Sequence, residues 1–226
     1  MQERLAAVRV WDLPTRVFHW LLAALVIASI VSAKIGGNAM PWHFRFGYVI
    51  FTLLLFRAVW GLIGGRWSRF ASFVYAPATT LRYLRGRSQV DEFHDVGHSP
   101  LGALSVLALL ALLAAQIATG LFADDEISNT GPLIKFVSGA TSAAFTSWHK
   151  TYGQRLIIGL SILHVAAVVF YLVRRKNNLV RPMWTGDKLL SHGVPAARDQ
   201  AGSRVIALAV AAACAGLVAS VVNLGG

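Results

Sequence analysis

Four of the seven histidines in this chain stand inside or at the lip of long apolar stretches. An imidazole in such a place can ligate a metal, relay a proton or hydrogen-bond its surroundings. It is costly in hydrocarbon without a partner, so each is a functional candidate. His19 lies near one end of the first apolar stretch, His43 at the start of the second, His149 at the start of the fourth and His164 deeper in the fourth. On a straight helix the fifteen residues from His149 to His164 rise about 22 Å and leave the rings only about 60° apart in azimuth. One helix face thereby presents two imidazoles at two depths, and the chain supplies one partner for each. Pairing His43 with His149 and His19 with His164 gives two bis-imidazole sites, the axial ligand set of two b-type haems stacked across a bilayer within a helical bundle.

Smaller signals surround these rings. Trp42-His43 is followed by Gly47 as Trp148-His149 is followed by Gly153, a glycine one turn from each histidine that would let a flat macrocycle lie against backbone. Close helix packing is the alternative use of such glycines. Arg57, fourteen residues beyond His43, returns to within about 40° of the same face and lies ~21 Å deeper. Its guanidinium requires an anion there, and a haem propionate at the inner site or the membrane headgroups would serve. Arg16, Arg45 and Arg155 are further candidates of the same kind. His94 and His98 have i, i+4 spacing, but Gly97 and Pro100 interrupt it and favour a capping or surface role; His192 falls in a Gly- and Pro-containing loop.

The elements that must position these residues are transmembrane helices. Of 226 residues 56% are hydrophobic and only 14% charged, with a mean hydropathy of +0.58, which describes a chain dissolved in lipid. Five stretches reach the ~20 apolar residues that span a bilayer, at Val17–Ala33, Gly47–Ile63, Leu101–Phe122, Gly153–Val173 and Arg204–Val222. The single cysteine, Cys214, excludes disulfides, cysteine-ligated zinc and iron–sulfur clusters. The net charge of +11 does not point to nucleic acid, because the basic residues flank the apolar runs in the manner that sets membrane topology. Arg66, Arg69, Arg82, Arg85 and Arg87 follow the second span, and Arg174, Arg175, Lys176, Arg181 and Lys188 follow the fourth. Those segments are expected in the cytoplasm with the N-terminus, and Asp124, Asp125 and Glu126 outside. Val31-Ser32-Ala33 offers a signal-peptidase-like site, but the structured-looking segment before the first span argues for a retained helix. Most tryptophans, including Trp20, Trp42, Trp148 and Trp184, sit near span ends as interfacial anchors do. Residues 66–99 and 176–203 read as polar connections along the cytoplasmic surface. The expected fold is an all-α membrane protein, with a four-helix transmembrane haem-binding bundle over 1–190 and, over 191–226, a cytoplasmic linker and a fifth C-terminal transmembrane helix.

The run from Val8 to Trp20, VRVWDLPTRVFHW, resembles the opening of the bacterial cytochrome b-561 and Ni,Fe-hydrogenase b-type cytochrome subunit superfamily. Gly97-His98-Ser99-Pro100, Thr119-Gly120, and Ser147-Trp148-His149 with His164 are similar to it as well, so the likeness covers roughly residues 8–190. It implies a four-helix bundle in which His19, His43, His149 and His164 are axial ligands of haem b. It also implies a bacterial inner-membrane protein that carries electrons between quinone and a periplasmic electron-transfer protein, such as a c-type cytochrome or a hydrogenase. Two other functions fit the sequence: a self-contained superoxide:ubiquinone oxidoreductase, as in one branch of the family, and a non-redox membrane bundle. The apolar fifth span leaves room for a homodimer.

Overall fold

A computed structural model describes residues 5–88, 92–190 and 193–225; His192 and Arg4 lie outside the described residues. The chain is built on long helices: α1 (Leu13–Ile35), α2 (Met40–Ile63), α4 (Pro100–Leu121), α6 (Gln154–Val173) and α8 (Ala201–Asn223), with shorter helices α3 (Pro77–Leu84), α5 (Gly139–Ser147) and α7 (Val180–Thr185). Among the described residues, five helical stretches are long and apolar enough to cross a membrane, as expected. The fourth is longer than the sequence suggested. It runs over Gly139–Val173 and comprises α5, a π-helical turn at Trp148–Gly153 and α6. Large apolar side chains on these helices face outward, Ile27 at 64% exposure, Leu62 at 70% and Leu208 at 72% among them. That is the surface of a protein whose solvent is lipid, where backbone polar groups must be satisfied within each helix.

Chain contacts divide the protein into two compact units, each taking a section of every long helix: Met1–Phe18, Arg57–Leu107 and Leu163–Leu208 form the first, and His19–Phe56, Ala108–Ile162 and Ala209–Gly226 the second.

The first unit holds the segments that read as polar connections, and they are more ordered than their composition suggests. Strand β1 (Ala6–Arg9) pairs antiparallel with β2 (Asp187–Leu190), Ala6 opposite Leu190 and Arg9 opposite Asp187. Val10, Trp11, Trp67, Val96 and Ala197 make a buried apolar cluster beside them. The scattered apolar residues of these segments show no helical or alternating period, so only the tertiary fold gathers them. Asp12 is fully buried and explains its own place in the sequence. One carboxylate oxygen accepts from the Thr15 N–H (2.8 Å), capping α1, and from Trp60 Nε1 (3.1 Å). The other accepts from the Gly65 N–H (3.0 Å) and Ser68 Oγ (2.9 Å). One acidic side chain thus joins the start of α1 to the end of α2 and the turn that follows. Asp199 makes a second junction, accepting from the Leu13 N–H and pairing with Arg9 (2.9 Å) and Arg204 (3.1 Å).

The second unit contains α5, the π turn and the loop between α4 and α5. Ser138 caps α5 by accepting from the Thr141 N–H, and Ser142 and Thr146 on α5 bond to Phe122 and Asp124. Within the loop, hydrogen bonds from the Asn129 side chain and from the Asn129, Ser128 and Ile127 N–H groups hold the Asp125 carboxyl far below the usual carboxylate range. The later part of α8 packs on its own chain, with Cys214 and Val218 buried.

Candidate cofactor site

Two of the four candidate histidines meet in the second unit. The ring centroids of His43 and His149 lie 5.9 Å apart with the planes at 86°. Each ring is held from behind by a main-chain carbonyl: His43 Nδ1 donates to Ser29 O on α1 (2.9 Å), and His149 Nδ1 donates to Gln116 O on α4 (2.9 Å). A carbonyl can only accept, so Nδ1 carries the proton in both rings, and in the neutral imidazole Nε2 then presents a lone pair. This is the second-shell arrangement by which proteins orient metal-ligating histidines. Ser29 Oγ, 3.0 Å from His43 Nδ1, adds a contact on that side.

The two rings line a cleft walled by Met40, Phe44, Tyr48, Phe51, Ile117 and Pro132. That apolar lining, with two imidazoles facing into it, suits a cofactor. Gly47 also lines it, and a Cβ on Gly47 would meet nothing within 4 Å. Gly153 differs. Its α-carbon faces the Gln116 side chain, whose Oε1 occupies the space a Cβ would need, with Trp148 Nε1 3.1 Å from the same point. Gly120 supplies the clearance for the His149 ring, since a Cβ there would stand 2.8 Å from His149 Cε1.

His149 sits in the π turn, and the widened turn gives up regular i→i−4 hydrogen bonding. The straight-helix spacing assumed from His149 onward therefore does not hold through residues 148–153. The His149 carbonyl also accepts from Gln116 Nε2 (2.9 Å).

The other candidates fall as follows. His19, in the second unit, is partly buried and edge-on to Trp20 at 5.0 Å. His164, in the first, is also partly buried. Arg57, in the first unit, is only 3% exposed, which removes the headgroup reading. Its guanidinium lies over Phe70 (4.7 Å) and Phe73 (5.8 Å), and Nη1 makes no hydrogen bond among the described residues. Arg16 donates to Trp184 O (2.7 Å) and lies 3.9 Å from the Asp199 carboxylate. Arg45 is exposed and stacks on Trp42. His98 is wedged between Trp11 (4.8 Å) and Phe73 (4.6 Å), and His94 between Tyr75 and Tyr83, so both have aromatic partners. Among the described residues no group of three or more His, Cys, Asp or Glu side chains could hold a metal ion by itself, whereas a haem iron asks only two axial ligands of the protein.

Sequence reasoning missed Gln116 and Ser29, and met Gly120 only within a motif of resemblance, without its role beside His149. Gln116 left a signal, being an amide inside an apolar span, where it needs a partner.

Long apolar helices, with two near-perpendicular imidazoles hydrogen-bonded through Nδ1 beside an apolar cleft, define a class: a multi-pass helical membrane protein whose histidines have the chemistry to ligate a metal cofactor. Residues 10–186 match the family described as prokaryotic cytochrome b561, and the chain belongs to that family of membrane b-type cytochromes, which hold haem b and carry electrons. Two curated relatives are 24% identical over 211 residues, covering 78% of this chain and 88% of their own length. Both are named as probable Ni/Fe-hydrogenase 1 B-type cytochrome subunits, one from Escherichia coli K12 and one from Escherichia coli O157:H7. No solved structure matches the chain significantly.

Proposed function

We propose that this chain is an inner-membrane cytochrome with its N-terminus in the cytoplasm, holding two haems b and passing electrons between a redox protein outside and the quinone pool. The observation that carries the reading is the His43–His149 pair, two rings 5.9 Å apart whose Nδ1 protons are both committed to carbonyls. Imidazoles serving only to pack or to relay protons have no need of one fixed tautomer on both sides of a cleft. Bound haem supplies a one-electron carrier whose potential follows its axial ligands and its burial.

The residues of this chain do the rest. His43 and His149 offer Nε2 to the outer haem, Ser29 and Gln116 orient them, and the open face of Gly47 makes room for the macrocycle. His19 and His164 are the second pair, supported by their depths in the sequence and by the family. Arg57, buried with an unused N–H, offers its charge to an anionic cofactor group. Arg16 is already shared between Trp184 O and Asp199, so its work is to hold the start of α1. The basic segments after the second and fourth spans support a cytoplasmic N-terminus, and the names of the relatives support a hydrogenase-like redox partner.

Haem quantification per chain, combined with reduced-minus-oxidised spectra and reduction by a quinol analogue, tests the reading. Two haems per chain, both reduced by quinol, are expected; a well-folded colourless preparation rules it out.

A further inference from the structure

The π turn around His149 poses a question that ligation alone does not answer. A widened helical turn, with i→i+5 in place of i→i+4 main-chain bonds, is rarer and less favourable than a regular one, so contacts from outside the helix can decide whether it persists. Here such contacts come from a residue on the neighbouring helix. Gln116 contacts His149 twice, its own main-chain carbonyl accepting from the ring Nδ1 and its carboxamide donating to the His149 carbonyl, both at 2.9 Å. Two glycines provide the space. Gly153 leaves room for the carboxamide oxygen, and Gly120, one turn beyond Gln116, leaves room for the imidazole edge. Among the described residues His43 has no such clamp: it lies in regular α2 and its hydrogen bonds are made by its ring.

We propose that Gln116 is a positioning residue for the His149 ligand, its carboxamide holding the π turn in the conformation that sets the plane and reach of the imidazole, with Gly153 as the socket for that carboxamide. The inference rests on the haem-ligating role of His149. Gln116 touches no reacting atom; it acts through the His149 main chain. Without its side chain the His149 carbonyl is left without this donor, and the turn is free to relax toward regular α-helix, which would rotate the ring away from its present 86° to His43.

The test uses the full-length, haem-loaded protein. Gln116→Met keeps the length of the side chain and removes the donor; Gly153→Ala keeps the donor and fills its socket. Three readouts are taken on each: haem per chain, the low-spin ferric electron paramagnetic resonance signal, whose position reports the angle between axial imidazole planes, and the midpoint potential of each haem. Both variants are expected to move the signal and potential of the outer haem and leave those of the inner haem in place. Affinity for the outer haem is expected to fall about 10–100-fold, as when second-shell partners of metal-bound histidines are lost. The double variant is expected to add little to either single one, because the two changes remove the same interaction. Selective loss of the outer haem from Gln116→Met supports the inference equally. If that variant loses both haems through misfolding, the shift or constancy of the outer signal in Gly153→Ala decides. Unchanged signal and potential at full haem loading overturn the inference alone. A wild-type protein without haem, or one whose outer haem survives His149→Ala, overturns instead the assignment on which it rests.

Discussion

The segments Trp42–Gly47 and Trp148–Gly153 share one pattern, a Trp-His pair followed by glycine one turn later, yet the fold uses them differently. Around His43 the helix is regular, Trp42 is 52% exposed, and Gly47 opens onto the cleft. Around His149 the helix widens into a π turn, the Trp148 indole nitrogen is buried, and Gly153 is filled by Gln116. In the first, tryptophan stands exposed and glycine opens onto the cleft. In the second, glycine packs against the neighbouring helix and the histidine's main chain is met by a side chain of that helix. A short motif therefore specifies where the imidazole sits along the helix, and the neighbouring helix specifies what the flanking positions do.

Replacing either histidine should have the largest effect. His43→Ala and His149→Ala are each expected to abolish the outer haem, seen as the loss of one haem per chain with the inner haem's spectrum retained. Survival of the outer haem in either variant would break the pairing itself. Gly120→Ala comes next: the added methyl enters the ring of His149, and overpacking of this kind costs about 1–3 kcal/mol. Lower outer-haem loading and a lower melting temperature are expected, while the His43 side of the site keeps its contacts.

The sharpest comparison follows between the two glycines. Gly153→Ala should destabilise the protein whether or not haem is present, because its methyl meets Gln116. Gly47→Ala should leave the haem-free protein's thermal stability unchanged or slightly raised, because nothing lies within 4 Å and alanine favours the helix, and lower only the haem content. Equal effects on the haem-free protein would erase the distinction drawn here. Smaller still, Trp42→Phe is expected to stay within about 0.5 kcal/mol, as exposed substitutions do, and Trp148→Phe to exceed it through lost packing against Tyr152. Ser29→Ala should have the least effect on the site, since the carbonyl that fixes the His43 tautomer belongs to the main chain.

Much of the architecture was legible in the chain. The spans follow from length and hydropathy because a bilayer accepts few other solutions, and the helices extend beyond the predicted stretches mainly where caps and polar residues lie outside the apolar run. Asp12 was visible as part of a motif, but that it bonds Thr15, Trp60, Gly65 and Ser68 at once could not be read, because those partners are gathered only by folding. The polar-looking segments 66–99 and 176–203 hid one strand of the β1–β2 pair and part of a buried cluster for the same reason.

What the sequence by itself determined is the membrane setting, the helical spans and the histidines that can reach a metal, since hydropathy and ligand chemistry belong to each residue wherever it goes. Only the tertiary structure decided which nitrogen of His43 and His149 is free, why the helix widens at His149, and which glycine faces a cleft and which a glutamine. Those are properties of neighbours brought together across the chain, and no local pattern encodes a contact between residues 116 and 149.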